Sequence, residues 1–557
     1  MQIEQMLRKG YFPKELPPPF TTKSFAENFN SIDKSWNDTK SNLGRTNPGI
    51  INEKYKTSRC VSYSLPKGNF SRRNVEIPNP FHHSILCKTI CDNWTEIDDF
   101  CKKSPISLSR PIINEKGSRA VIPMKSFNAF KTECLIASFD KMYELKTDIS
   151  WFYPTIYTHT IAWALNGKKV VKKNKSLNIL GNKLDFDIRN CKHGQTTGIP
   201  IGPDTSHIIA EIVSCGIDLI LLNELGSIKG YRYYDDVYFY FTSREEAEKG
   251  LRTFQYILTD FQLSINEGKT NITKFPSAFD ENWVTQISSY KFRNNIKKEE
   301  TARAREQKTD IERYFRLALY YANEYPEDSV LEYAIRRVKN VPIMNENWNL
   351  FESLILKAVI LNPLLLMDII PLLIAYRRLV NIDKICNVVE EIIKNHAPMG
   401  HSFEISWALW LAKTFNINIP KYLSDNIFKS NDVIPILMAL DLKSNDLIEP
   451  TSDLSPIIES IVNEDSLFEE KWLLIYESII HGWLPPITPN PLDTNEYFII
   501  LKNHNIKFYD ETIQAEKSII KGLKVEIPEE APQAEVYKEE EEGPLEESSE
   551  GGYPSYY

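Results

Sequence analysis

Residues 231–241 read YRYYDDVYFYF, two aromatic runs with Asp235 and Asp236 between them. Tyr, Phe and Val favour the pleated backbone, so the stretch predicts two strands meeting at an acidic turn. Adjacent carboxylates in such a frame are costly when buried, because each unpaired charge loses its solvation. Either a cation offsets that cost or the pair sits in water. A third acid, Asp148, ends a strand-like run in LKTDISWFYPTIY (145–157). A solvated acidic turn would account for an isolated Asp-Asp pair, so the surrounding sequence decides.

Residues 136–275 mix such strands with helical runs, among them DTSHIIAEIVSCGIDLILLNEL (204–225), which is the pattern of an α+β domain. Upstream, ISLSRPIINEKGSRAVIP (106–123) forms two apolar runs around a polar turn and predicts a hairpin, with Arg110 before the turn and Arg119 after it. Ile85, Leu86, Ile90, Trp94 and Ile97 recur at helical spacing in residues 81–103. Residues 1–80, rich in Pro, Asn, Ser and charge, predict an extended arm with short helical pieces. From about Asn294 to Gly522, amphipathic helices follow one another between Asn, Pro and Gly turns. A HEAT-like solenoid or an irregular bundle would both produce this, and the solenoid is the preferred reading. The expected division is an N-terminal arm (1–80), an α+β domain (81–290), an α-helical HEAT-like domain (291–525) and a disordered acidic tail (526–557).

Charge is distributed along the same lines. The 557 residues carry 66 Lys and Arg against 75 Asp and Glu, a net charge of −9. Eleven Glu and one Lys in residues 526–557 account for it, leaving the rest close to neutral. Residues 1–200 hold 31 basic and 18 acidic side chains, whereas residues 201–290 hold 7 and 13. The basic portion includes Lys168, Lys169, Lys172, Lys173 and Lys175 and can hold phosphates; an exposed loop is the plainer reading of that cluster. The eight Cys form no CxxC pair and are expected to be reduced and mostly buried. MQIEQMLRKGYF has no apolar core of signal-peptide length, and Lys357, Asn362, Pro363, Asp368 and Pro371 break the most apolar stretch. A soluble, cytoplasmic protein with no membrane span is expected.

A hairpin carrying Asp235 and Asp236 beside a strand carrying Asp148 can place oxygen ligands around two Mg²⁺ ions, which suits in-line displacement at phosphorus. The surroundings favour this over the solvated turn. DISWFYPTI (148–156), GIPIGPDTS (198–206), YYDD (233–236) and LSINEGKT (263–270) resemble, in order, motifs A to D of a reverse transcriptase palm. The resemblance implies right-hand fingers and palm, a nucleotidyltransferase acting on dNTPs, and Asp148, Asp235 and Asp236 as metal ligands together with the backbone carbonyl of Ile149. It makes the hairpin with Arg110 and Arg119 a clamp for the incoming triphosphate, a task suited to the planar guanidinium fork. Tyr153 matches the aromatic gate that excludes a 2′-hydroxyl. Lys269 would protonate or neutralise the leaving pyrophosphate. Gly198 and Gly202 would let the backbone approach the nascent pair, with Ser206 at the start of the next helix. Where this family usually has Pro-Gln-Gly, this chain has Pro200-Ile201-Gly202, which removes a polar contact near the incoming nucleotide.

A narrower resemblance rests on GYFPKELPPPFTTKSFAENF (10–29), IPNPFHH (77–83), GIPIGPDTS and HSFEISWALWLAKTF (401–415). Together they are similar to bacterial abortive-infection and defence-associated reverse transcriptases. That implies an antiphage role in the bacterial cytoplasm, homo-oligomerisation, and DNA synthesis that is primed from a tyrosine hydroxyl and needs no supplied template. Tyr11, Tyr55, Tyr63, Tyr553, Tyr556 and Tyr557 are the candidate acceptors. A retron-like enzyme copying a dedicated non-coding RNA is the alternative within the class. An inactive polymerase serving as a protein-binding scaffold is the alternative outside it. The acidic tail is either a solubilising appendage or a mimic of nucleic acid that competes for the basic cleft.

Overall fold

The computed structural model describes residues 1–42, 57–68, 71–276, 282–293, 298–459 and 464–518. The acidic tail, with Tyr553, Tyr556 and Tyr557, lies outside the described residues, as does Tyr55. The chain divides into two compact units, one built from residues 1–279 and 389–514 and the other centred on residues 280–388.

The first unit opens with α1 (Ile3–Lys9) and α2 (Lys23–Asn42), then a hairpin of β1 (Val61–Lys67) and β2 (Ser71–Ile77). The extended arm expected over residues 1–80 is thus largely regular structure. Its aromatic residues explain why: Phe25, Phe29 and Trp36 lie on one side of α2 and are buried, and a helix with such a stripe gains more by packing than by staying solvated. The helix expected over residues 81–103 breaks at Asn93 into α3 (Pro80–Asp92) and α4 (Trp94–Cys101). At the start of α3, the Asn79 side chain accepts a hydrogen bond from the Phe81 N–H and Pro80 follows it, the residue types that begin a helix. Next come β3 (Pro111–Ile113) and β4 (Val121–Pro123), paired antiparallel as the sequence predicts, and α5 (Phe127–Ala137).

β5 (Tyr143–Asp148) enters the central sheet, and the chain then runs through α6 (Phe152–Thr155), α7 (His159–Asn166), α8 (Lys168–Lys173), α9 (Leu180–Asn190) and α10 (Asp204–Leu225). β6 (Lys229–Tyr233), β7 (Asp236–Phe241), α11 (Arg244–Asp260) and β8 (Asn271–Lys274) complete this part. Of the lysine cluster, Lys168, Lys169, Lys172 and Lys173 lie on α8 and Lys175 follows it. The sheet is antiparallel with order β6-β7-β5-β8. Alternation along β7 sorts its residues between faces: Tyr238 and Tyr240 join Phe130 and Cys134 of α5, whereas Phe241 meets Gly250 of α11, where a Cβ would lie 2.6 Å from the ring.

The helices of residues 389–514 pack with this N-terminal half, so the units part near residues 280 and 389, whereas the expected boundaries stood at 80 and 290. Long-range pairs account for the difference. Trp36 donates to the Tyr497 carbonyl (3.1 Å), Trp407 to that of Glu15 (2.8 Å), and Tyr63 Oη shares a hydrogen bond with Ser406 Oγ (2.7 Å). Arg72 on β2 grips both carboxylate oxygens of buried Glu404, at 2.6 and 2.8 Å. Among the described residues the regular elements of the second unit are helices; its core includes Trp348 stacked on Tyr376 with ring centroids 4.3 Å apart. Among the described residues no helix is long and apolar enough to cross a membrane.

Candidate active site

The β5–β7 register sets Asp148 directly opposite Asp236. Side chains so paired lie about 5 Å apart at Cβ, and like charges there repel. Asp235 completes the group at the β6–β7 turn, where its carbonyl accepts from the Ile149 N–H (3.2 Å). Asp148 and Asp236 are each 4% exposed, and Asp235 is half-buried. Burial first, then the charge of Asp148, pushes the Asp235 carboxyl up to about 6; burial and the charge of Asp235 push Asp236 up to about 8. Asp235 and Asp236 are therefore under-neutralised by the protein itself, the condition that favours a divalent cation.

Lys269 is the one sequence-identified cation that reaches them. The segment after α11 bridges to β5 through Ile149 and Ile265, and the Asn266 N–H donates to the Asp148 carbonyl (2.7 Å). The short helix Glu267–Lys269 then brings Lys269 Nζ to 2.6 Å from Asp148 Oδ2. Burial pulls this ammonium down, but its hydrogen bond with Asp148 and the surrounding carboxylate charge more than compensate, and its pKa rises.

The other expected residues are placed differently. Arg110 Nη1 pairs with Asp98 of α4 at 2.5 Å. Arg119 donates through Nε to Asp204 Oδ1 (2.8 Å) and through Nη2 to the Gly202 carbonyl (2.8 Å). Both guanidinium groups are thus occupied by protein acceptors. Asp204, the first residue of α10, also takes the N–H groups of Ala120 and Val121 through Oδ2, at 2.9 and 3.2 Å. Gly202 has φ +122, and a Cβ there would lie 2.7 Å from Pro13 Cγ; at Gly198, φ +83, a Cβ would lie 2.9 Å from the Pro154 carbonyl oxygen. The close approaches these glycines permit are to the chain itself. Ser206 is buried in the first turn of α10, and its Oγ has no hydrogen-bond partner among the described residues. Tyr153 is 7% exposed and lies on α6, five residues past Asp148. Tyr11 and Tyr63 are fully buried, with their hydroxyls bonded to the Pro78 carbonyl (2.6 Å) and Ser406 Oγ (2.7 Å), so neither can serve as an acceptor in this conformation.

Two features had no part in the sequence reading. The first holds the acidic turn. Tyr234 adopts φ +55, a strained left-handed conformation for an aromatic residue. Ser109 Oγ accepts its N–H (2.8 Å), and Arg232 Nη1 donates to its carbonyl (3.0 Å). Arg232, only 1% exposed, forks onto Glu211 and Asp218 of α10, at 2.9 and 2.8 Å. Burial raises both acids; the Arg232 charge outweighs it at Glu211, which falls below the usual carboxylate range, but not at Asp218, which stays above. Two acids seven residues apart in the largely apolar middle of α10, and one Arg inside an aromatic strand, were the available signal. The second feature is the β1–β2 hairpin. Burial and then the charges of Arg73 and Lys269 depress the Lys67 ammonium, while Asp235 and Asp148 oppose them, so two residues of the expected arm act electrostatically on the acidic site.

Comparison with known proteins agrees with this architecture. Residues 114–303 match the family model described as reverse transcriptase (RNA-dependent DNA polymerase). No curated protein sequence matches the chain. Among solved structures, the apo telomerase of Candida tropicalis is 13% identical over 72% of this chain and 74% of its own, with a TM-score of 0.31. The same enzyme truncated of its C-terminal domain is 13% identical over 45% of this chain and 56% of its own, TM-score 0.30. This chain therefore spans little more than half of that truncated protein. Its complex with a fragment of telomeric RNA is 12% identical over 75% and 68%, TM-score 0.29. At such scores these likenesses support no statement about this chain's activity. The family match thus covers residues 114–303, about a third of the chain, and takes in β5–β8 with Asp148, Asp235 and Asp236; over this part the chain is similar to reverse transcriptase domains.

Proposed function

We propose that this chain is an antiphage DNA polymerase that joins dNMP units from dNTPs to a hydroxyl acceptor and releases pyrophosphate. The observation that carries the polymerase reading is the juxtaposition of Asp148 and Asp236 across β5 and β7 with Asp235 beside them. The burial of Asp148 and Asp236 and the raised carboxyl pKa values of Asp235 and Asp236 fit divalent cations, and Asp148, Asp235, Asp236 and the Ile149 carbonyl would hold two Mg²⁺ ions. When bound, such ions supply Lewis-acid stabilisation of the attacking and leaving oxygens.

The remaining roles belong to the chain's own side chains. Lys269 holds a proton on Nζ at neutral pH and is available to neutralise the departing pyrophosphate. Tyr153 presents a buried ring that leaves no room for a 2′-hydroxyl. Arg110 and Arg119 exchange Asp98 and Asp204 for triphosphate oxygens as the substrate enters, and Gly202 and Ser206 border that entry. The antiphage role, homo-oligomerisation and tyrosine priming without a template are supported by the sequence resemblance to abortive-infection enzymes. With Tyr11 and Tyr63 buried, a priming tyrosine falls elsewhere.

Purified protein should incorporate labelled dNTPs with Mg²⁺ and lose that activity with EDTA or in the Asp235→Asn, Asp236→Asn double variant. Absence of incorporation under every combination of primer, template and co-expressed RNA would sink the polymerase reading. Mass spectrometry after nuclease digestion should find a nucleotide on tyrosine, and sequencing of copurifying nucleic acid would expose a dedicated RNA instead.

A further inference from the structure

We infer that Trp151 is a stacking site for the flat face of a nucleobase at the mouth of the acidic site. The inference deepens the proposed polymerase function and rests on it for the identity of the ligand class.

Two independent features of this residue are unfavourable for the folded chain alone. The residue is 71% exposed, whereas Trp36, Trp348 and Trp407 are buried. Its backbone is left-handed, with φ 47 and ψ 43. A bulky L-residue pays roughly 1–2 kcal/mol for that conformation. Among the described residues, no ring contact or side-chain hydrogen bond holds the indole. The backbone is nevertheless fixed: the Trp151 carbonyl accepts from the Thr155 N–H (3.0 Å) and from Thr155 Oγ1 (2.8 Å), and the preceding Ser150 N–H donates to the Ser264 carbonyl (2.8 Å). The strain is thus imposed by an ordered turn, and the indole it projects is left in solvent.

The place matters as much as the conformation. Trp151 is three residues beyond Asp148, so chain reach keeps their Cα atoms within about 11 Å. It also begins the turn that carries Tyr153. An exposed aromatic platform beside a phosphate-chemistry site has an evident use, because every nucleobase offers a π-face and stacking needs no sequence readout. The base can belong to a single-stranded product or primer, or to the incoming nucleotide; the chemistry is the same.

Binding measured with Ca²⁺ in place of Mg²⁺ separates these cases and does not depend on turnover. The probes are an oligothymidylate, an abasic oligonucleotide of equal length, and dTTP, each titrated against the wild-type full chain, Trp151→Ala and Trp151→Phe. Trp151→Ala should bind oligothymidylate or dTTP about 5- to 100-fold more weakly, while its affinity for the abasic strand stays unchanged and Trp151→Phe stays within about threefold of wild type. Loss on oligothymidylate assigns the base to a strand; loss on dTTP assigns it to the incoming nucleotide. Equal loss on the abasic strand, or no loss on any probe, overturns the inference. Trp151→Gly, which relieves the left-handed strain, should melt no lower than wild type and bind like Trp151→Ala; wild-type binding by this variant also overturns it. A protein that loses base-dependent binding in Trp151→Ala yet never incorporates dNTPs refutes the polymerase proposal alone. One that incorporates and binds normally in Trp151→Ala refutes only the stacking site.

Discussion

Two clusters of buried carboxylates flank the same β6–β7 hairpin, and they are built on opposite terms. Behind the turn, Glu211 and Asp218 share the Arg232 guanidinium and hydroxyls of Ser104, Ser107 and Ser109, so every charge has a protein partner. In front of it, Asp148, Asp235 and Asp236 face one another, and the ammonium nearest them, Lys269, has a side chain 43% exposed. The first arrangement is complete without a ligand and fixes Tyr234 in a strained conformation. The second leaves negative charge uncompensated, and the carboxyl groups of Asp235 and Asp236 hold their protons accordingly. Burial alone therefore does not mark a functional acid; burial without a matching cation does.

The sharpest way to break that contrast is Asp236→Asn. It should reduce dNTP incorporation by about a thousandfold or more, without lowering the melting temperature, because it removes a repelling buried charge. Primer-extension assays and calorimetry read the two effects. In the rear cluster the same kind of change should act on stability. Arg232→Met strands two buried acids and should cost about 3–5 kcal/mol in denaturant unfolding; a variant as stable as wild type would show that the cluster is not balanced by its arginine. Lys269→Met should slow incorporation by about a hundredfold, with its fold unchanged by circular dichroism.

The smallest effect separates the clusters by pH. Asp235 and Asp236 are raised to about 6 and 8. In metal-free protein the folded state thus holds protons that the unfolded state has released above about pH 4, so these acids make stability fall as pH rises from about 4 to 8. The melting temperature should drop by a few degrees more than in the Asp235→Asn, Asp236→Asn variant, and Mg²⁺ should remove the difference.

What was legible in the sequence was local. Asp148, Asp235 and Asp236 were singled out because acids beside apolar strands are costly when buried and because they fall in four motifs that follow one another in order, and the β3–β4 hairpin was readable from its turn. The partners of Arg110 and Arg119 were not, since Asp98 and Asp204 come from other elements and carry no mark of pairing. The N-terminal helices were misread as an arm because Pro and Asn obscure an amphipathic stripe whose partners lie far along the chain.

By itself, then, the sequence determined that the chain has an α+β part with three acids at its strand ends, a helical C-terminal half and a charge concentrated in its last residues, because composition, period and turn chemistry act over a few residues. Only the tertiary structure decided that Glu211 and Asp218 share Arg232 whereas Asp148 lies opposite Asp236, and that Trp36 meets Tyr497 across 461 positions to join the C-terminal helices to the N-terminal half. Compensation of buried charge and closure of a core depend on groups that are neighbours in space alone, so no local pattern encodes them.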